Sequence, residues 1–156
     1  MKLAHEIEEA RTSSSEVVIS LPKGDVTIDL DYDAAPLTCL NFTQLIKDGF
    51  YENLVFHRVI PNFVAQGGDP RGDGWGGPGY NIRCEYSERS YKRGTVGIAT
   101  SGKDTGGSQF FITLSAQPHL DARYTIIGEV ASGMEHVDGI LRGDVARSIS
   151  IAAAVQ

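Results

Sequence analysis

Apolar and polar residues alternate from Asp25 to Tyr32, where Thr27, Asp29 and Asp31 separate Val26, Ile28 and Leu30. A period of two predicts a strand with one buried face and one wet face. Glu16 to Leu21 forms a second strand pattern, and Pro22-Lys23-Gly24 between them reads as a hairpin turn. The period then lengthens. Ala35, Cys39, Phe42, Leu45 and Ile46 recur at helical spacing. Asp33 can cap this helix, Pro36 sits in the tolerant first turn, and Gly49 can close it.

Strand patterns return at Leu54 to Ile60 and at Phe63 to Gln66, pinched by Pro61-Asn62. Gly67 to Gly79 is a long glycine-rich loop carrying the single tryptophan, Trp75. Further strands are predicted at Gly94 to Ala99, Gln109 to Leu114 and Thr125 to Val130, with a last one through Ser148 to Ala152. Between these last two, Ser132 with Glu135 three residues on forms a capping box for a short helix burying Met134, Val137, Ile140 and Leu141. The opening MKLAHEIEEARTSSS reads as a helical arm running into a Ser-rich linker, so residues 1–15 are set apart from a domain at 16–156. Many strands and two helices predict a mainly β fold: a closed antiparallel barrel whose ends the helices plug.

A length of 156 residues fits one domain with its own core. The net charge of −6 argues against nucleic acid and anionic membranes as partners, since both would repel the chain. No run of apolar residues is long enough for a transmembrane helix, and the acidic N-terminus lacks the apolar core of a secretory signal. Cys39 and Cys84 give neither a disulfide framework nor a zinc spacing. A single disulfide stays open, but two free thiols in a reducing cytoplasm is the preferred reading. "DPRGDG", Asp69 to Gly74, starts like a calcium loop, yet Arg71 and Tyr80 stand where oxygen ligands are required. No metal or cofactor is expected.

"GIATSGKDTGGSQFFITL", Gly97 to Leu114, contains the G-x-x-x-x-G-K spacing of a phosphate-binding loop. Asp104 replaces the Ser or Thr that would hold Mg²⁺, and a carboxylate there repels phosphate. Aromatic and β-branched residues follow where such a loop needs a helix N-terminus to attract an anion. The glycines are better read as a loop between two strands, with Gly106-Gly107 supplying backbone angles that other residues resist.

Three segments carry the chemistry. "FHRVIPNFVAQGGDP" (Phe56 to Pro70), the Gly97 to Leu114 stretch, and "PHLDARYTIIGEV" (Pro118 to Val130) together resemble the cyclophilin family of peptidyl-prolyl isomerases. The pattern F-H-R-x-I-x-x-F-x-x-Q-G-G-D is matched from Phe56 to Asp69, and G-S-Q-F-F-I from Gly107 to Ile112. The likeness runs from about Val17 to about Ile151. It implies an eight-stranded antiparallel barrel capped by two helices, no cofactor, and proline-containing peptides and unfolded proteins as partners of a monomeric, cytoplasmic enzyme.

Rotation about an X–Pro amide faces a barrier of ~20 kcal/mol, because resonance makes the C–N bond partly double. That corresponds to roughly 10⁻² per second uncatalysed. No bond to carbon breaks, so the reaction needs neither nucleophile nor metal. It needs a fixed donor that binds the twisted, pyramidal prolyl nitrogen better than either planar form. Arg58 is the natural donor, always protonated and rigid at its fork. Read alone it would be a surface arginine among 20 acidic residues. Within the motif it falls on the family's catalytic arginine, and Gln66 on the glutamine that orients it. The resemblance also places Phe63, Phe111 and Leu120 around the proline ring, with Val64 at the edge, and makes Ala99, Thr100 and Gln109 the wall for residues beside it. Phe110 faces away from Phe111 and is assigned to the core. His57 reads as structural, since no proton moves between heavy atoms.

The chain departs from family members that bind cyclosporin tightly. It has His119 where they carry Trp, Tyr124 for His, Thr100 for Asn and Val64 for Met. Losing the indole removes apolar area and a donor, which implies weakened cyclosporin binding; His119 and Tyr124 are similar to the bacterial branch. Ala122 replaces the usual Gly, so that turn is expected to shift. Two functions fit these residues, an active isomerase and a proline-peptide binding module with little turnover.

Overall fold

The computed structural model describes residues 1–152. Its first hairpin is the predicted one, β1 (Glu16–Leu21) and β2 (Gly24–Leu30), paired in antiparallel register from Glu16↔Asp29 to Leu21↔Gly24. Val26 and Ile28 are fully buried, as the alternation requires. Helix α2 (Pro36–Lys47) follows, preceded in the chain by α1 (Lys2–Ser13). The strip of Ala35, Cys39, Phe42, Leu45 and Ile46 faces the core, where the Phe42 ring meets Tyr51 at 5.2 Å and Phe110 at 5.8 Å. Gly49 closes the helix at φ +74°.

Asp33 does not cap α2. Asp31 Oδ1 accepts instead from the N–H groups of Asp33 and Ala34, at 3.1 and 3.0 Å. The free N–H groups of Leu37 and Thr38 donate to the carboxylate of Glu85, at 3.3 and 2.6 Å. A carboxylate at a helix N-terminus satisfies orphan donors and opposes the positive end of the helix dipole. Glu85 lies far along the chain, so its role is invisible to a local pattern.

The remaining strands are β3 (Leu54–Val55), β4 (Arg58–Ile60), β5 (Val64–Gly67), β6 (Thr95–Ile98), β7 (Phe110–Thr113), β8 (Ile126–Ser132), β9 (Val145–Ala146) and β10 (Ser148–Ile151). Eight of them form one antiparallel sheet in the order β10-β1-β2-β8-β6-β7-β5-β4. The sheet curls into a half-barrel, and the expectation of a closed barrel is wrong. Among the described residues no ladder joins its edge strands β4 and β10. The cause is the break in the strand predicted from Leu54 to Ile60. Phe56 N donates to Asp144 O and Phe56 O accepts from Gly143 N, both at 2.8 Å, which turns the chain at Phe56-His57. The half before the break, β3, pairs with β9 in a separate two-stranded ribbon across the seam.

Helix α3 (Met134–Asp138) is one short turn, and it starts later than the capping box implied. Ser132 still belongs to β8, paired with Thr27, and Gly133 takes the cap position at φ +87°. A side chain at Gly133 would strike the Asp25 carbonyl and Val26 Cα. Val137 and Ile140 are buried as predicted, whereas Leu141 stays 65% exposed. Helix α1 lies against α2 with Ala10 buried, and the Tyr32 hydroxyl donates to Ser14 O at 2.9 Å. Among the described residues no helix is long and apolar enough to cross a membrane.

Candidate active site

Strand register assembles the site. Arg58 on β4 faces Gln66 on β5, Gln66 faces Phe111 on β7, Phe111 faces Gly97 on β6, and Gly97 faces Ile126 on β8. Directly paired residues project from the same side of a sheet. A polar pair, an aromatic ring and a glycine therefore share one row across five strands. Residues one position along project to the other side: Ala65, Phe110, Ile112 and Ile98 enter the main core. This accounts for the split between Phe110 and Phe111.

The outward row builds a second, smaller apolar cluster of Val64, Tyr91, Phe111, Leu120 and Ile126, with Phe63, Ala99 and Tyr124 against it. Phe111 is held from two sides. Tyr91 stacks on it at 5.6 Å and Tyr124 meets it edge-on at 5.9 Å. Gly97 makes room for this: a Cβ there would come within 2.7 Å of Phe111 Cζ and would collide with the Tyr91 hydroxyl. Tyr91 is fixed in turn by donating to the carbonyls of Tyr124 and Thr125, at 3.0 and 3.2 Å. Burial raises the Tyr91 pKa above its ordinary value, so the phenol stays neutral and keeps its proton to donate.

In front of this cluster lies a cavity of about 200 Å³ lined by Arg58, Phe63, Val64, Gln66, Ala99, Thr100, Phe111, Leu120 and Tyr124. A short 3₁₀ turn, Pro118–Leu120, delivers Leu120. Arg58 stands at the rim, exposed, with Nη1 donating to Gln66 Oε1 at 3.2 Å and Cζ 5.7 Å from the Phe63 ring centroid. Gln66 Nε2 donates to Gln109 Oε1 at 3.1 Å, and Gln109 Nε2 donates to Gly74 O and Gly76 O, both at 2.9 Å. The guanidinium is thus the end of a hydrogen-bonded chain anchored in the glycine-rich loop. That loop is itself tied to Asp69, whose buried carboxylate accepts from Arg71 N and Asp73 N at 2.8 and 3.0 Å. Burial alone would raise the Asp69 pKa, but the backbone donors outweigh it and leave the pKa below its ordinary value. His57, beside Arg58, has its pKa lowered, chiefly by burial, and its buried Nδ1 finds no hydrogen-bond partner among the described residues.

A sequence model of the family described as "Cyclophilin type peptidyl-prolyl cis-trans isomerase/CLD" matches residues 16–155. The chain belongs to the cyclophilin family. A peptidyl-prolyl cis-trans isomerase of Helicobacter pylori is 42% identical over 152 residues, covering 95% of this chain and 93% of the relative. Peptidyl-prolyl cis-trans isomerase B of Bacillus subtilis is 47% identical over 128 residues, covering 81% and 90%. A crystal structure of a cyclophilin-type isomerase from Cryptosporidium parvum, in the presence of the dipeptide Ala-Pro, superposes with a TM-score of 0.83 at 32% identity, covering 89% of this chain and 99% of that one. This cyclophilin is accordingly a peptidyl-prolyl cis–trans isomerase by family.

Nine of the eleven residues singled out from the cyclophilin motifs line the cavity together. The other two stand beside it. Gln109 is one link behind Gln66, and His119 stacks on Phe63 at 5.7 Å without lining the cavity. Tyr91 and Gly97 went unassigned in the sequence, though both hold Phe111 in place. Tyr91 sits in a segment with no periodic pattern, and Gly97 reads as an ordinary position of the strand predicted from Gly94 to Ala99. Gly106 and Gly107 are expected to supply backbone angles that other residues resist, but neither has a positive φ. They are small because Ile98 and Pro78 lie close, whereas Asp104 takes the positive φ of +58°. The two cysteines do not pair: Cys39 is buried in α2 and Cys84 binds back to Asp104. Ala122 adopts φ +57°, keeping the turn that a glycine would make there.

Proposed function

We propose that Arg58 drives X–Pro rotation here by donating to the prolyl nitrogen while Phe63, Phe111 and Leu120 grip the pyrrolidine ring. The supporting observation is the juxtaposition of a fixed guanidinium with a small apolar cavity of about 200 Å³. That volume is several times the ~30 Å³ of a water in the liquid, enough for one small ring.

Planar cis and trans amides delocalise the nitrogen lone pair, so they offer Arg58 nothing to bind. The twisted amide localises it, and a donor held in place by Gln66 binds that state selectively. Each ~1.4 kcal/mol of that selectivity gives a factor of ten in rate. Preorganisation is the work of Gln66: a guanidinium free to rotate would lose entropy on binding, and one already hydrogen-bonded loses less. Ala99, Thr100 and Gln109 form the wall for residues beside the proline, Val64 and Tyr124 edge the ring, and His119 backs Phe63 from outside the cavity. In this account the substrates are proline-containing peptides and unfolded chains, met by a monomer in the cytoplasm. Residues 16–156 constitute the isomerase domain, the last four lying outside the described residues, and residues 1–15 are an accessory arm.

The test follows cis-to-trans relaxation of an Ala-Pro peptide with wild type, Arg58→Ala and buffer. Arg58→Ala should lower kcat/KM roughly 10²- to 10³-fold, the usual cost of losing one transition-state donor. Peptide binding with equal relaxation in all three samples would leave a binding module in place of an enzyme.

A further inference from the structure

Two grooves leave the proline cavity. One shares Gln66, Ala99 and Thr100 with it; the other, of about 540 Å³, shares only Arg58 and Gln66. The second is lined further by His57, Ile60, Asp73, Trp75 and Arg142. None of these five belongs to the set that contacts the proline ring.

Two anchored loops meet at this groove. Trp75 is 78% exposed, an unusual state for an indole in a folded domain. Its backbone is nevertheless immobilised. Gln109 Nε2 holds the carbonyls on both sides of it, and Trp75 N donates to Asp73 Oδ1 at 2.9 Å. Arg142 lies in a tight turn in which Leu141 N donates to Asp144 Oδ2 at 2.8 Å and Asp144 N to Leu141 O at 2.9 Å. Gly143 N and Asp144 O pin that turn to Phe56, two residues before Arg58. A large apolar face and a cation are thus both presented to solvent from rigid backbone, next to the reactive arginine.

Charge decides what they receive. Among the described residues no carboxylate lies within ion-pair distance of Arg142. The one acid among the residues that line the groove, Asp73, is paired with Arg71 at 2.8 Å, and Asp144 in Arg142's own turn accepts from Leu141 N. The groove is therefore locally positive in a chain of net charge −6. The global repulsion is screened over about 8 Å at physiological salt, whereas a contact pair with Arg142 is much shorter than that.

We infer that this groove is a second substrate subsite, in which Arg142 pairs with an acidic side chain near the proline and Trp75 supports the adjoining chain. The enzyme then prefers X–Pro segments bearing Asp or Glu on the flank that leaves the cavity past Arg58. This rests on the proposed isomerase function and adds to it a substrate class.

Trp75 is the sole tryptophan and lines both grooves, so its fluorescence reports peptide on this face independently of turnover, and Arg142→Glu singles out the second groove. The experiment compares Ala-Pro peptides carrying Glu or Gln at each of the three positions on either side, by kcat/KM and by fluorescence titration. At one flank, Glu should exceed Gln by about two- to five-fold at low salt, the size exposed ion pairs reach. The advantage should fade with added salt and invert in Arg142→Glu, in kcat/KM and in the Trp75 titration alike. Trp75→Ala should weaken those same peptides. Equal Glu and Gln peptides at every position, or a preference that survives in Arg142→Glu, overturns the subsite. If plain Ala-Pro peptides still turn over, that outcome leaves the isomerase function standing. Loss of turnover with every peptide overturns the function instead, while the titration still decides the subsite.

Discussion

Gly97→Ala is a single methyl group placed beneath the proline cavity. In the present backbone its carbon would lie 2.7 Å from Phe111 Cζ and closer still to the Tyr91 hydroxyl. Neither ring can yield cheaply. Tyr91 is 1% and Phe111 5% exposed, and the Tyr91 hydroxyl donates to two carbonyls on the Tyr124-Thr125 segment. Overpacking of this kind costs about 1–3 kcal/mol. Displacing the phenol adds about 1 kcal/mol for the one hydrogen bond that its single proton shares between the two carbonyls. We therefore expect a loss of about 2–4 kcal/mol, which at roughly 2–4 °C per kcal/mol for a chain of this size lowers Tm by about 4–16 °C. Phe111 would be pushed toward the cavity, so kcat/KM for an Ala-Pro peptide should fall further than stability alone explains at 25 °C. Thermal unfolding and peptide relaxation on the same sample measure both. A variant melting within a degree of wild type, with unchanged kcat/KM, refutes the claim that Gly97 is there to seat Phe111 and Tyr91.

Ala122→Gly relieves a left-handed backbone that costs an L-residue about 1–2 kcal/mol, against about 0.4–1 kcal/mol of added unfolded-state entropy. Calorimetry should show a rise in Tm of a few degrees, and a fall would mean the turn is unstrained. Burial lowers the His57 pKa below its ordinary 6.5, so the unfolded chain takes up that proton first on acidification. Stability from this group is complete above pH 6.5 and is lost as pH falls from there toward the lower folded value. The urea midpoint should drop between pH 7 and pH 5, and the drop should be smaller in His57→Gln. With His119 stacked on Phe63 in place of an indole, cyclosporin should bind weakly. A nanomolar dissociation constant by titration would contradict this, and His119→Trp should tighten binding.

What could be read from the chain was whatever a strand's period carries. Arg58, Gln66 and Phe111 are spaced by motif, and antiparallel register then brings them into one row. The buried strip of α2 was equally legible, because its spacing is local. Most of the failures share one cause, which is partners distant in sequence. Glu85 caps α2 across 47 residues, and nothing around Thr38 announces it. The seam between β4 and β10 stays unzipped because Phe56 binds Gly143 and Asp144, a contact no window around Phe56 contains. Tyr91 and Trp75 owe their places to Tyr124, Thr125 and Gln109. Glycines misled for a second reason: at Gly97 and Gly107 the demand is space, not backbone angle, and the sequence spells both the same way.

The central claim is that a held guanidinium stabilises the twisted imide while apolar walls merely hold the ring. NMR exchange spectroscopy on an Ala-Pro peptide measures cis–trans interconversion on the enzyme, and amide shifts at Phe111 and Leu120 report occupancy in the same tube. Arg58→Ala should keep the occupancy shifts and abolish the exchange. Exchange persisting at the wild-type rate in a fully occupied Arg58→Ala cavity would show that the rotation is driven by something else.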